Sequence, residues 1–352
     1  HARMLERFLL LWLVLSSALA FAWTRLLPGV PDPFGKAISG IYLPWLIVVT
    51  MFAIGWMLPR DEIRQVAKRW PMVLCGTAVQ YLTMPTLAYI VARLCGFQGD
   101  LLIGMVMVGA VPGAMASNVL TLLARGNASF SVSLTTLATL LSPLAVPLAM
   151  QVFLHARPEI NGQMLWNTCR DLLTQVVLPV LAGYSIGRQF PQWEATARRV
   201  GSTVANLAIL LIIAAVVGRN RGRIDTLPML LLVALLVVNL LGYTAGWLVG
   251  SAIRLPVSMR RALTLEVGMQ NAGLGAVLAT QLFGERPEIA LPPALYTFGC
   301  MLTGTVLARW WSTQPLEDVD KGDRHGNNTV GSETARDNDV LASSVADQDA
   351  SQ

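Results

Sequence analysis

Charge is scarce in this sequence. Only 13% of its 352 residues are Asp, Glu, Lys or Arg, against 54% hydrophobic and a mean hydropathy of +0.55. A soluble domain carries nearer a quarter charged residues because its surface must face water. A soluble enzyme, a nucleic-acid-binding module and a disordered scaffold are therefore excluded. Histidine occurs only at His1, His155 and His325, never in the middle of an apolar run, which disfavours a histidine-based intramembrane hydrolase. Lysine occurs only at Lys36, Lys68 and Lys321, and none closes a GxxxxGK[ST] phosphate loop, which disfavours an ATP-driven pump within this chain. The cysteines (Cys75, Cys95, Cys169 and Cys300) form no CxxC pair and read as small packing residues.

What is present is apolar sequence in span-sized lengths. Hydropathy windows give ten candidate membrane spans, at about 7–27, 37–59, 70–94, 101–124, 128–153, 164–187, 200–218, 227–252, 258–283 and 289–311. Arg3 and Arg7 precede an apolar run ending near Ser17-Ala18-Leu19-Ala20, the layout of a secretory signal. Apolar sequence continues through Phe21, Ala22 and Trp23, so we read this segment as a retained helix. The chain begins with His1 rather than Met, which leaves room for a missing upstream piece. With both termini inside, the inner side carries 14 Arg and Lys residues and the outer side 9, the tail left out, a bias that puts both termini in the cytoplasm. The triplet Arg219, Arg221 and Arg223 falls on the outer side.

From about Ser312 the composition changes to Asp, Ser, Asn, Gly and Gln, too polar to bury a core, so 312–352 is expected to be a disordered acidic tail. Splitting the net charge of +5 at this point gives +11 for the body and −6 for the tail. The expected organisation is a transporter-like membrane domain over 1–311, with halves at about 7–153 and 164–311.

Two spans look broken. Val111-Pro112-Gly113 interrupts the fourth and leads into Ala116-Ser117-Asn118, while Glu266-Val267-Gly268-Met269-Gln270-Asn271 places an acid, a glycine and two amides inside the ninth. Non-helical backbone survives at membrane depth only where protein or a polar cavity satisfies it. Matching interruptions in two five-span halves are the sequence pointer to a transporter built from inverted repeats. Glu266 has no Arg or Lys in the flanking run from Ala262 to Phe283, yet an ionised acid at mid-membrane costs about 2.5–3.5 kcal/mol. A bound cation or protonation would offset that cost. Ser131, Thr135 and Thr139 share one helix face at i, i+4 spacing and, with Ser117, Asn118 and Glu266, complete an all-oxygen ligand set. Hard cations prefer oxygen ligands, which favours sodium and leaves a proton second. Half-helix N-termini beyond the breaks suit an anionic substrate group.

At these residues the sequence resembles the bile acid:sodium symporter family. The stretches Pro112–Thr121 with Leu123-Ala124-Arg125-Gly126-Asn127, and Leu263–Asn271, carry the likeness, which covers roughly 5–311. The resemblance implies an all-α polytopic membrane protein with ten transmembrane helices in two inverted five-helix repeats. These would form a panel and a core domain, with two broken helices crossing beside the ion sites. By position, one sodium site would use Ser117, Asn118, Ser131, Thr135 and Glu266. A second would use Gln80, Glu266, Val267, Met269 and Gln270, partly through backbone carbonyls. Asn271 would lie on the substrate side. That side departs from similar bacterial carriers of bile acids: a His-Asn pair in the last helix is Cys300-Met301 here, and a Gly-Thr is Ala114-Met115.

Both changes remove polar groups, so a small carboxylate such as pantoate or a 2-oxo acid is expected at least as much as a bile-acid-like anion. The expected function is sodium-coupled symport of an organic anion by alternating access, in the cell (inner) membrane, with no enzyme activity and no cofactor beyond the coupling ion. A proton-coupled carrier, a non-transporting membrane sensor and an integral membrane enzyme acting on lipid remain open alternatives at this point.

Overall fold

The computed structural model describes residues 8–34, 42–224 and 228–314, and among them all regular structure is helical. In chain order the helices are α1 (Leu9–Leu26), α2 (Leu43–Met57), α3 (Glu62–Lys68), α4 (Trp70–Leu94), α5 (Gly99–Ala110), α6 (Ala116–Leu123), α7 (Ala128–Leu154) and α8 (Gly162–Leu172). They continue with α9 (Leu178–Gln189), α10 (Glu194–Arg219), α11 (Arg221–Ile224), α12 (Met229–Ala252), α13 (Val257–Gly268), α14 (Ala272–Leu282) and α15 (Leu291–Ser312). A π turn, Leu173–Val177, joins α8 to α9 without a break. Three starts carry an asparagine cap: Asn127 Oδ1 accepts from Phe130 N, Asn161 Oδ1 from Met164 N and Asn271 Oδ1 from Leu274 N. The last helix stops at Ser312, where the composition turns polar. The expectations for the acidic tail, apart from its first residues, and for Arg3, Arg7 and Lys36 lie outside the described residues.

Among the described residues, six helices are long and apolar enough to cross a membrane as single units: those containing α1, α4, α7, α10, α12 and α15. The four other predicted spans differ for local reasons. The fourth and ninth are split into α5 with α6 and α13 with α14, as the interruptions at Pro112-Gly113 and around Gly268 predict. The sixth begins with the polar stretch Gln163 to Asp171, and the second is described only from Tyr42 and turns by 75° into α3. Large apolar side chains stand exposed around the exterior, among them Leu82, Val119, Leu144, Leu148, Met229 and Val306. Water would not tolerate so much exposed apolar surface, whereas lipid does.

The helices pack in two groups. Helix α2 lies against α9 and α10, and α10 against α1. Helices α4, α5, α6, α7, α12, α13 and α15 pack among themselves, with α14 against α15. Inside the first group backbones touch: a Cβ on Gly55 would lie 2.0 Å from Val180 O, and one on Gly183 2.1 Å from Phe52 O. Where hydrocarbon surrounds the helices, such close approach is a principal source of association energy.

Contacts between connecting segments fall at two ends. At one end Arg286 pairs with Asp100 and, at 2.6 Å, with Glu159, Arg223 pairs with Glu288 at 2.8 Å, and Arg221 pairs with Asp32. Arg219 there donates to the Gly284 carbonyl. At the other end Asn127 N donates to Ser258 O at 2.9 Å, and Arg261 donates to the carbonyls of Ala124 (2.7 Å) and Trp311 (3.1 Å). The corner between α2 and α3 is pinned on the first group: Arg60 pairs with Glu194 at 3.0 Å, and its carbonyl accepts from Tyr184 Oη at 2.6 Å.

Beyond this corner, Glu62 is turned into the second group. Its side chain is 1% exposed, and Oε1 accepts from Ser133 Oγ at 2.8 Å. Burial pushes this carboxyl up to about 7, only partly opposed by the Ser133 hydrogen bond, with Asp61 raising it further and Arg69 lowering it. A folded-state value above the ordinary 4.5 means that Glu62 contributes stability below pH 4.5 and loses it as pH rises toward 7. The expected loss across that window is about 3 kcal/mol. Thermal unfolding of detergent-solubilised protein should show a falling midpoint from pH 4.5 to 8. In Glu62→Gln, which keeps the acceptor for Ser133 without a charge, that slope should flatten; a slope equal to the wild type's would assign the effect to another group.

Candidate functional site at the crossing helix breaks

Helix α5 stops at Ala110 because Pro112 supplies no N–H and disfavours helical backbone just before it. Helix α13 stops at Gly268. The two interruptions lie side by side and pair like a fragment of antiparallel sheet: Ala114 N donates to Met269 O at 2.8 Å, and Asn271 N donates to Pro112 O at 2.7 Å. Each break thus satisfies backbone groups that the other leaves open, so neither could sit in the membrane alone. Two helix C-termini (α5, α13) and two N-termini (α6, α14) converge here, giving both signs of partial charge within one locus.

Glu266 projects from α13 just before its break and is 1% exposed. Ser117 Oγ donates to Oε2 at 2.5 Å, while Thr135 Oγ1 lies 2.8 Å from both carboxylate oxygens. Thr135 Oγ1 is also 3.2 Å from Asn118 Oδ1 and 3.1 Å from Ser131 O. Ser131 Oγ donates to Asn118 Oδ1 at 2.8 Å, and Thr121 Oγ1 reaches Ser131 Oγ at 3.2 Å. Thr135 carries a single hydroxyl proton and can serve only one of its four acceptors at a time. The cluster therefore holds more oxygen lone pairs than protons to fill them. Among the described residues no basic side chain forms an ion pair with Glu266. Crowded oxygens, a buried carboxylate and too few protons are what a desolvated hard cation requires.

On the other side of the carboxylate, Gln80 of α4 donates through Nε2 to Gln270 Oε1 at 3.2 Å, and Gln270 Nε2 donates to Val267 O at 2.9 Å. Gln80 Oε1 is buried and has no hydrogen-bond donor among the described residues. An orphaned buried acceptor is costly, and a cation would satisfy it. Gly113 is where this amide group and Glu266 come close, because the residue has no side chain. A Cβ on Gly113 would fall 2.0 Å from Glu266 Oε1 and 3.3 Å from Gln80 Nε2.

The structure thus brings Gln80, Ser117, Asn118, Ser131, Thr135, Glu266, Val267, Met269 and Gln270 to one locus. Thr139, one turn beyond Thr135, stands apart from the bonds to the carboxylate; its carbonyl accepts from Ser142 Oγ at 2.8 Å. On the predicted substrate side, Asn271 is half-buried and caps α14, and Met115 Sδ accepts from Asn118 Nδ2 at 3.5 Å. Ala114 belongs to the pairing of the breaks. Cys300 is 2% exposed, its thiol bonded to Thr297 O at 3.5 Å of its own helix, while its neighbour Met301 is half-buried. Residues passed over in the sequence include Gly113 as a close-approach position, Thr121, and a polar group on α12 and α15 comprising Asn239, Tyr243, Tyr296 and Thr303. An amide at Asn239 inside the apolar run Leu235–Leu241 was the available signal for that group.

The profile of the Sodium Bile acid symporter family matches residues 44–227, which include α2 through α11. The chain belongs to the sodium bile acid symporter family. Among its relatives in this symporter family is an uncharacterized sodium-dependent transporter, YocS, of Bacillus subtilis (strain 168), 30% identical over 86% of this chain and 90% of that protein. A probable chloroplastic sodium/metabolite cotransporter, BASS1, of Arabidopsis thaliana is 31% identical over 78% of this chain and 69% of its own length. A sodium-dependent organic anion transporter of Mus musculus is 24% identical over 65% of this chain and 61% of its own.

For this symporter family member, Gly113→Ala places a methyl group where Glu266 Oε1 now lies. Sodium-dependent stabilisation of the purified protein, measured as the melting shift on replacing choline by sodium, should require about tenfold more sodium or vanish. Gly162→Ala, where a Cβ meets nothing within 4 Å, should leave the shift unchanged. Equal behaviour of the two variants would remove Gly113 from the site.

Proposed function

We propose that this chain is a sodium-coupled secondary transporter of an organic anion, working by alternating access. The observation that carries this reading is the buried Glu266 carboxylate, ringed by hydroxyl and amide oxygens where two broken helices cross. One sodium ion would be held by Ser117, Asn118, Ser131, Thr135 and Glu266. A second would be held by Gln80, Glu266, Gln270 and the carbonyls of Val267 and Met269. Glu266 serves both, so its charge is offset only when sodium is bound.

The substrate anion is ascribed to the face beside Asn271, where the N-termini of α6 and α14 supply partial positive charge. Ala114, Met115 and the α15 surface at Cys300 and Met301 would line it, with the exposed part contributed by Met301. One anion-binding locus of this kind is ascribed either a small carboxylate such as pantoate or a 2-oxo acid, or a bile-acid-like anion. No enzymatic step and no cofactor are ascribed to the chain.

In this reading, α1, α2, α9 and α10 form the panel and the second helix group forms the core. Ten passes, arranged as two inverted five-helix repeats, would place the breaks of α5/α6 and α13/α14 in equivalent positions. The arginine count assigns both termini to the cytoplasmic side of a cell (inner) membrane. The end bearing Arg219, Arg223, Arg286 and Glu288 then faces outward. Arg219 and Arg223 reach from the panel side to Gly284 and Glu288 on the core side, so opening outward requires these contacts to part.

Uptake of radiolabelled pantoate, pyruvate and taurocholate into proteoliposomes tests the reading. An inward sodium gradient should drive accumulation of at least one of the carboxylates, and Glu266→Ala should reduce it to the rate of empty vesicles. Accumulation driven by a pH gradient in sodium-free buffer would overturn sodium coupling and assign the proton to Glu266. Full-rate uptake by Glu266→Ala would remove the carboxylate from the coupling altogether.

A further inference from the structure

The Gly268 carbonyl is the last of α13, and carbonyls at a helix end have no partner within their own helix. This one is nonetheless fully engaged. Tyr296 Oη donates to it at 2.7 Å and Asn239 Nδ2 at 2.8 Å, and each of these side chains is 1% exposed. Thr303 Oγ1 lies 2.6 Å from Asn239 Oδ1, nearer than its other acceptors Gly299 O (2.8 Å) and Cys300 O (3.4 Å), and its proton directed there holds the amide with its NH2 toward Gly268. Tyr243 completes the group: its hydroxyl lies 3.2 Å from Thr303 Oγ1 and 3.3 Å from Cys300 O. Its ring presses on Gly268, where a Cβ would fall 2.1 Å away. The donors come from α12 and α15, two helices that contribute nothing to the hydroxyl cluster around Glu266.

Packing alone does not call for such a group. An amide and a phenol buried among apolar helices are tolerated only when bonded, and apolar side chains of similar volume would fill the space without that requirement. The carbonyls flanking Gly268 reveal what the bonding achieves. Val267 O accepts from Gln270 Nε2 and Met269 O accepts from Ala114 N, so both lie on the side of Gln80, Gln270 and the crossing. With the carbonyl between them held toward α12 and α15, the two flanking peptide groups are presented to the Gln80 side of Glu266. Without that hold, the break is free to rewind by a turn and take these carbonyls elsewhere.

We propose that Asn239, Tyr296 and Thr303 are positioning residues that clamp the Gly268 carbonyl and thereby preset the second ion site. The proposal rests on the sodium reading above and adds a route from that site to α15. The clamp sets sodium affinity rather than the fold.

The test titrates sodium chloride against choline chloride at constant ionic strength and reads the melting shift of the full chain in detergent. Tyr296→Phe keeps the ring and removes one donor. Thr303→Val keeps both direct donors and frees the amide to flip. In each, half-saturation should rise about five- to tenfold, the equivalent of one neutral hydrogen bond, with the full shift recovered at saturating sodium. Thr303→Ser should restore the wild-type value. Should Tyr296→Phe fail to fold, the Thr303 pair decides. Wild-type half-saturation in Thr303→Val overturns the clamp, whatever the melting point without sodium. A wild-type protein indifferent to sodium overturns the underlying sodium reading instead.

Discussion

One carboxylate imposes its needs on the centre of this molecule. Glu266 is buried with no basic partner among the described residues, so its charge must be met by dipoles, by a proton or by an ion. Hydroxyls from α6 and α7 approach one side and the Gln80–Gln270 amides flank the other. None of them carries a full positive charge. The cluster is thus short of positive charge, and the proposed sodium ions would supply it.

The breaks follow from the same demand. A continuous helix hides its carbonyls and amide protons in its own ladder, leaving nothing for a ligand. Interrupting α5 and α13 releases several of each, and the Ala114–Met269 and Asn271–Pro112 bonds absorb only part of them. Helix ends of both signs meet at this locus. Asn239 and Tyr296 engage a further carbonyl, that of Gly268, with Thr303 behind the amide.

Much of this was legible in the sequence, and the exceptions have physical causes. Pro112-Gly113 and Gly268 announce broken helices because their backbone chemistry is local, and Glu266 stands out because an acid in an apolar run has no bland explanation. The hydroxyl stripe of Ser131 and Thr135 is readable from helical spacing, yet Thr139 on the same stripe takes no part, since the carboxylate reaches only so far along α7. Gln80 entered through the resemblance to a known family, as a lone amide says nothing about its partner 190 residues away. Asn239 and Tyr296 share that difficulty: each looks like an isolated polar group until tertiary packing joins them over Gly268. Glu62 was hidden for the opposite reason, because it sits among charged neighbours in a segment that reads as a solvated connection. Its burial depends on the corner after α2 turning it toward Ser133.

The contact between Gly55 and Gly183 bears on how such a molecule can move. Helices α2 and α9 meet backbone to backbone, each carbonyl lodged where the other helix lacks a side chain. Sliding one past the other by a single turn would bring Met51, with a full side chain, to the place that Gly55 leaves open. The pair is therefore keyed like two notched planks, unable to shear without first separating. In the alternating-access reading proposed above, displacement would then be taken up at the seam between the two helix groups, with this half as the stationary edge.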